Sequence, residues 1–417
     1  VVLILHVRSY VFLTDDSFIS FRYARNLVHG HGLVFNPGGE RVEGYTNLLW
    51  VLLLAGLSLL GLDPPRTSLV LSFAATAALV SIVACFAWVR LPAGRKWIAV
   101  IPAFFLASTR GFAVWASSGL ETRLFDLLLV AGFLRLVHEV EDRPPEGGPT
   151  RVVAPWIFGL AALTRPDGVL VGGCACIAAL AYVWWRTSRA PWREALAWWP
   201  MAALVAAHLA FRLAYYGDWV PNTFYAKVGS RHSFGAGARY LALFALEYGA
   251  VLWIPGLVAG TMALVRERKP FLPILAAAAI VPHGLYLAAI GGDHFEFRPL
   301  DFYWPLLFLL IGEGVRAWAT SPRRAALGLG YTALVLFGLV WFPFRSHAQF
   351  PKQYWPGFPG TYPGLLVDAD LFLAPETDPV FRLPLLRGVA GEYRDLMREQ
   401  TAHFGAVRQE EHRMFRE

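Results

Sequence analysis

Long apolar blocks alternate with short polar connections from the start of the chain to about residue 342. Uncharged runs of this length read as helices that cross a lipid bilayer. The blocks 67–90, 97–113, 123–138, 152–163, 168–186, 196–216, 239–265, 271–290, 304–320 and 325–342 each read as a span, and residues 1–13 as a first. At about 1.5 Å per residue that opening stub is too short to cross by itself. The far end stops inside a charged, helix-like run, Glu410-Glu411-His412-Arg413. We expect both ends to be trimmed.

Loop charge orients these spans. The connections rich in basic residues are Arg90…Arg95-Lys96, Arg186…Arg189…Arg193, Arg266-Glu267-Arg268-Lys269 and Arg323-Arg324, and they are expected on the cytoplasmic side. The alternating loops 14–45, 114–122, 164–168, 217–238 and 291–303 then face outward; they carry Asp, Asn, His, Gly and aromatic residues. Residues 46–61 are apolar enough to cross, yet a crossing there would put Arg95-Lys96 outside. We therefore read 46–61 as lying in or dipping into the outer interface. The expected fold is an all-α polytopic membrane protein with about eleven transmembrane helices, juxtamembrane helices in a first external loop (14–66), and a membrane module over 1–342. Residues 343–417 are rich in Pro, Gly and aromatics at first and then look helical; they read as the start of an external C-terminal domain, to which no activity is assigned.

Composition narrows the function. Hydrophobic residues make up 56% of the 417 and charged residues only 16%, against about 25% in soluble domains. A soluble enzyme, a nucleic-acid binder and a disordered scaffold are all excluded on this ground. The net charge of +7 does not restore a nucleic-acid partner, because the arginines sit in interhelical loops and not on one face. Cys85, Cys174 and Cys176 lie in apolar segments without metal-ligand spacing. Arg110, Asp126, Arg212, Glu247 and His283 all fall toward the outer ends of their spans, whereas no such cluster shows at the inner ends. Charge inside a membrane is costly and marks function, so an outward-opening polar cavity is expected.

The first external loop holds the densest chemistry. Asp15 and Asp16 sit at the outer end of the first span. An amphipathic helix is predicted over 17–29, with Arg22, Arg25, Asn26 and His29 on one face and Phe21, Ala24, Leu27 and Val28 on the other. Its basic face can meet a ligand. Two readings of the acidic pair stay open: a partly desolvated carboxylate can take a proton from a sugar hydroxyl, or Asp16 can cap the helix while Asp15 favours its dipole.

An acidic pair closing the first span, followed by a juxtamembrane helix, resembles the GT-C glycosyltransferases. The resemblance sharpens in an ordered series of six motifs: DDSFISFRYARNL, GHGLVFNPGGERVEGYTNLLW, SSGLET, LTRPDG, YYGDWVPNTFYAK and GGDHFEFRPL. Together they look like the subfamily of the mycobacterial terminal arabinofuranosyltransferases and their bacterial relatives, some of which carry a flagellar-motor-control label. It covers about residues 10–345. The resemblance implies an enzyme of the cell membrane, working on its outer face. It would take a sugar, arabinofuranose first, from a polyprenyl-phosphate donor to a cell-envelope glycan acceptor, with no required cofactor. The oligomeric state is not legible.

By that resemblance Asp15 and Asp16 are the general-base candidates. A lipid-linked phosphate at the bilayer surface needs fixed cations, and Arg298, Lys227 and Arg165 are the candidates; Arg165 has the alternative of pairing with Asp167 inside its Pro-Gly turn. Candidate sugar or acceptor contacts are Arg22, Glu43, Tyr45, Glu121, Asn222, Asp293 and His294. Several carry plainer alternatives: Glu43 pairing with Arg41, Tyr45 and Trp50 as interface anchors, and Glu121 as a helix N-terminal charge. Asp293, His294 and Glu296 are too few for a metal site. Without a Gly-rich phosphate loop a nucleotide-sugar donor is disfavoured. The rival functions are a lipid or sugar transporter or flippase, which would want polar groups on both sides of the midplane, and a noncatalytic envelope or motor assembly factor.

Overall fold

The structure, a computed structural model, describes residues 1–8, 11, 13–141, 153–228, 234–293 and 297–347. The described residues are helical and contain no strand. In chain order the first helices are α1 (Val2–Arg8), α2 (Asp15–Val28), α3 (Leu48–Ser58), α4 (Pro64–Arg90), α5 (Val100–Ser108), α6 (Arg110–Val114) and α7 (Thr122–Val140). Then come α8 (Val153–Thr164), α9 (Asp167–Thr187), α10 (Trp192–Leu196), α11 (Trp199–Tyr216) and α12 (Asn222–Val228). The last five are α13 (Phe234–Glu247), α14 (Ile254–Arg266), α15 (Phe271–Ile290), α16 (Tyr303–Trp318) and α17 (Pro322–His347).

Among the described residues five helical stretches are long and apolar enough to cross a membrane: α4, α9, Trp192–Tyr216, α15 and Pro322–Val340. The eleven expected spans map onto this bundle unevenly, for physical reasons. Block 97–113 is not one helix, because Thr109 is extended between α5 and α6 and turns its hydroxyl back to the Phe105 carbonyl at 2.8 Å. Block 239–265 is broken, with Tyr240–Glu247 and Ala250–Arg266 meeting at 63°. Helix α7 has the length of a span but carries Arg123, Asp126, Arg135 and Glu139. Block 46–61 yields only the 11-residue α3, about 16 Å long and shorter than a bilayer core. It lies against α2 with Trp50, Val51 and Leu54 buried. Helix α17 runs past the 342 boundary to His347, and residues 348–417 lie outside the described residues.

Small residues let the inner helices touch. In α14 and α16 a side chain at Gly260 would sit 2.0 Å from the Leu310 carbonyl, and one at Gly314 would sit 2.3 Å from that of Gly256. The Gly256…Gly260 spacing is the one that packs membrane helices backbone to backbone. Phenylalanines 125, 133, 158 and 302 fill the space between α7, α8 and α16.

The basic connections gather at one end of the bundle. Glu141, just beyond α7, is 6% exposed and pairs with Arg90 of α4 at 3.1 Å. It also accepts the Phe271 amide of α15 at 2.9 Å, while its carbonyl faces Arg186 of α9 at 3.4 Å. Beside it Arg316 joins Glu267 at 2.7 Å, and Arg95 donates to the Arg316 carbonyl. A polar cluster therefore exists at the end of the bundle that carries the basic connections; its acid, Glu141, stands just beyond α7 and outside the apolar blocks.

Candidate active site

At the opposite end the loop Trp115–Glu121 forms a floor on which the other motifs rest. Thr14, extended ahead of α2, donates its amide to the Ser118 carbonyl at 3.0 Å. Trp50 donates its indole N–H to Gly119 at 3.2 Å, and Ser72 of α4 faces the Leu120 carbonyl at 3.5 Å. Gly119 sits at φ +77°, and a side chain there would meet Leu13 at 2.6 Å and Ser17 at 3.0 Å. Only glycine fits so close to the start of α2.

Helix α2 begins at Asp15, two residues before the predicted boundary. Thr14 therefore takes the N-cap position that was open to Asp16, and the two aspartates fill the first turn. Asp15 is exposed and its Oδ1 accepts the Asp16 amide at 3.0 Å; Asp16 is half-buried. Both acids stand at the edge of the floor with carboxylates near solvent.

Arg298 reaches the same floor from the other side. Its guanidinium carbon lies 5.8 Å from the centre of the Trp115 ring. Thr14, next to the acidic pair, and Arg298 of the late GGD…R motif thus meet one loop at one end of the bundle. Arg165 is also here. Its NH2 group bonds Asp167 at 2.7 Å, and its NH1 group lies 4.0 Å from Glu121. Burial alone would lower its pKa, but Asp167 and Glu121 more than offset this and hold it above the usual arginine range, with Asp293 adding to the field. His283 joins through Asp167 at 3.9 Å and through the Tyr303 hydroxyl at 2.8 Å.

Several candidate sugar contacts are turned to structural work. Glu43, 3% exposed, does not pair with Arg41; Arg212 of α11 grips both its oxygens, at 2.6 and 3.2 Å. Arg41 instead lies over the Tyr215 ring. Tyr45 is buried, its hydroxyl 3.1 Å from that of Tyr216, and burial pushes its phenol well above the ordinary range. Trp50 is buried too, so neither ring is a sugar platform or an interface anchor. Glu121 accepts from Asn47 at 2.7 Å within the core. Arg22 is exposed but donates to the Phe35 carbonyl at 2.7 Å and to Asn36 at 2.6 Å; Asn26, expected on the polar face, is buried and bonds the Val34 carbonyl at 2.8 Å. Asn222 is exposed, and its amide donates to the Glu43 carbonyl at 3.0 Å. Asp293 is half-buried. His294, Glu296 and the Lys227 side chain lie outside the described residues, although the Lys227 backbone belongs to α12.

The five polar residues expected to line an outward cavity all have polar partners, though only Arg110 and Glu247 pair with each other. Arg110 faces Glu247 at 3.5 Å, Arg212 holds Glu43, and Asp126 binds Arg123 at 2.7 Å. Arg123 and Asp301, which the motifs did not single out, are as deeply buried as His283 and Asp126, at 0% and 1% exposure. The Arg123/Asp126 spacing of three on one helix face was the available signal.

No family model matches the chain. It is 32% identical to the terminal β-(1→2)-arabinofuranosyltransferase of Mycobacterium tuberculosis, over 73% of this chain and 52% of that protein. To the corresponding protein of Corynebacterium glutamicum it is 28% identical, over 83% of this chain and 55% of that one. The chain thus spans about half the length of the curated relatives it matches. Among solved structures it resembles ArnT from Cupriavidus metallidurans bound to undecaprenyl phosphate, with a TM-score of 0.57, 16% identity, and coverage of 97% of this chain and 74% of that one. The apo state of ArnT gives 0.55 at 16% identity, over 96% of this chain and 70% of that one.

Proposed function

From a chain homologous to terminal β-(1→2)-arabinofuranosyltransferases and built on the GT-C-type membrane fold, we propose a membrane glycosyltransferase that moves a sugar from a polyprenyl-phosphate donor to a cell-envelope glycan. The favoured sugar is arabinofuranose, after the names of the relatives. The favoured donor class follows from the undecaprenyl phosphate held by ArnT. The reaction is placed at the Trp115–Glu121 end of the bundle, facing away from the basic loops and so outside the cell membrane.

One observation carries the reading: Thr14, the residue before Asp15 and Asp16, and Arg298 both contact the loop Trp115–Glu121. An acceptor hydroxyl gives its proton to an aspartate as its oxygen bonds the anomeric carbon. The bond from that carbon to the phosphate oxygen breaks, and polyprenyl phosphate leaves. Arg298 and Lys227 are assigned to the phosphate, where a cation stabilises the leaving charge. Arg165, held by Asp167 and Glu121, has less of its charge to spare and shapes the field around them. Asp293, His294 and Asn222 remain assigned to sugar hydroxyls. The chemistry calls on no resident metal or cofactor.

The test is transfer from purified polyprenyl-phosphate sugar by the wild-type protein and by Asp15→Asn and Asp16→Asn. Loss of transfer in at least one variant that stays folded in the membrane is expected. Wild-type rates in both would remove the acidic pair from the chemistry and favour a noncatalytic assembly factor on this fold. The polar tie at Glu141 gives a transporter its one supporting observation; unidirectional movement of labelled polyprenyl phosphate across proteoliposomes without transfer would favour it.

A further inference from the structure

A fully buried charged group lies under the floor of the site. Arg123, on the first turn of α7, bonds Asp126 through NH1 at 2.7 Å and Asp301 through NH2 at 2.5 Å, and NH2 also reaches the Gly111 carbonyl at 3.3 Å. Its guanidinium lies 4.2 Å from the centre of the Phe112 ring. The second oxygen of Asp301 accepts the Trp304 indole N–H at 3.2 Å. Each partner belongs to a different piece of the site: Gly111 and Phe112 precede the floor loop, Arg123 follows it, and Asp301 closes the short helix Arg298–Leu300. Arg298 is also near enough for its charge to act on Asp301.

Burying an ion triad is expensive, and an apolar trio of equal volume would hold the helices at least as well. What a planar fork adds is direction, since guanidinium and carboxylate meet in few geometries. We propose that Arg123 and Asp301 form a positioning pair that sets Arg298 over Trp115 for the donor phosphate. This rests on the proposed donor reading. Neither residue touches substrate; each acts through the backbone that carries Arg298, and Arg123 at the same time fixes both ends of the loop against which α2 starts. The pair thereby sets the spacing between cation and acid, on which in-line displacement depends.

The experiment measures binding of undecaprenyl phosphate to the detergent-purified full chain, alongside transfer kinetics, for Asp301→Asn, Arg298→Ala and the double variant. Each single change is expected to weaken phosphate-lipid binding about tenfold, with the donor KM rising in parallel and the acceptor KM unmoved. The double variant should bind no more weakly than Arg298→Ala alone, because Asp301 acts through Arg298. A purely structural role predicts losses that multiply; that result, or wild-type binding by Asp301→Asn, overturns the proposal. If Asp301→Asn does not fold, Trp304→Phe, which frees only one carboxylate oxygen, should show the same pattern at smaller size, and wild-type binding by it overturns the proposal equally. Should the wild-type protein bind the lipid phosphate with this coupling yet transfer nothing, the glycosyltransfer reading fails while the positioning pair stands. Absence of binding by the wild-type protein overturns both.

Discussion

Both ends of the bundle contain buried ion pairs, and they use them differently. At the Glu141 end one carboxylate closes on itself: Arg90, the Phe271 amide and, through its carbonyl, Arg186 bring α4, α9 and α15 onto the end of α7. The basic side chains beyond it lie among exposed tryptophans such as Trp184 and Trp185, at 62% and 71%, a surface suited to headgroups. At the Arg123 end the pairs join the start of α7 to Asp301, which follows the short helix Arg298–Leu300, beside the loop that Thr14 contacts just ahead of Asp15 and Asp16. A membrane protein can thus spend buried charge on fastening or on aiming. The test of which is being done is whether removal costs stability or rate.

The largest separation between the two is expected at the acid pair. Loss of a general base costs about 10²- to 10⁴-fold in rate, and Asp15 is exposed in the first turn of α2. Asp15→Asn or Asp16→Asn should therefore lower kcat by that factor while the thermal midpoint moves by no more than about 2 °C. Parallel loss of both quantities would place the pair with the fastening groups.

Glu141→Ala should do the reverse. It leaves Arg90 beside a vacated acid and the Phe271 amide without its acceptor, and breaking a buried pair costs about 3–5 kcal/mol. A large drop in the thermal midpoint in detergent is expected, with the rate per folded molecule unchanged. A selective rise in donor KM at wild-type stability would break the contrast between the ends.

Gly119→Ala tests the join between fastening and aiming. At φ +77° an alanine costs about 1 kcal/mol in strain, and its methyl would lie 2.6 Å from Leu13. Relief requires the start of α2 to move off the floor loop, carrying Asp15 and Asp16 with it. Transfer is expected to fall about tenfold with lipid-phosphate binding retained, which calorimetry on the purified variant would report.

How much of this was legible depended on the range of the interaction. Loop charge alone grouped the connections that Glu141, Arg186, Arg316 and Glu267 do tie together, because each basic loop faces the same solvent irrespective of packing. A helix beside the acid pair was readable from local pattern, two residues late at its start, whereas block 46–61 was kept out of the span count by loop charge and not by its own length. Glu43 and Tyr45 were misread because their partners, Arg212 and Tyr216, lie 169 and 171 residues away, and no period in the sequence encodes such a meeting. Arg123 and Asp301, 178 residues apart, were passed over for the same reason, although the i,i+3 partner Asp126 was noticed. The run 97–113, which hydropathy reads as continuous, is interrupted where the backbone turns extended at Thr109.

The smallest effect is expected at Arg22, and it decides how far aiming extends beyond the floor. Its guanidinium holds the Phe35 carbonyl and Asn36 and lies 4.2 Å from the Phe35 ring centre, so it staples the glycine-rich loop onto α2. Hydrogen bonds from an exposed arginine are worth about 0.5–1.5 kcal/mol, and Asn26 beneath still grips the Val34 and Phe35 carbonyls. Arg22→Met should therefore speed amide exchange at residues 33–36 and alter the acceptor KM by less than about threefold, the equivalent of roughly 0.65 kcal/mol at 25 °C. A rise of about tenfold or more in acceptor KM at unchanged exchange would mean that the side chain binds sugar directly, and would move Arg22 from the groups that fasten to those that meet substrate.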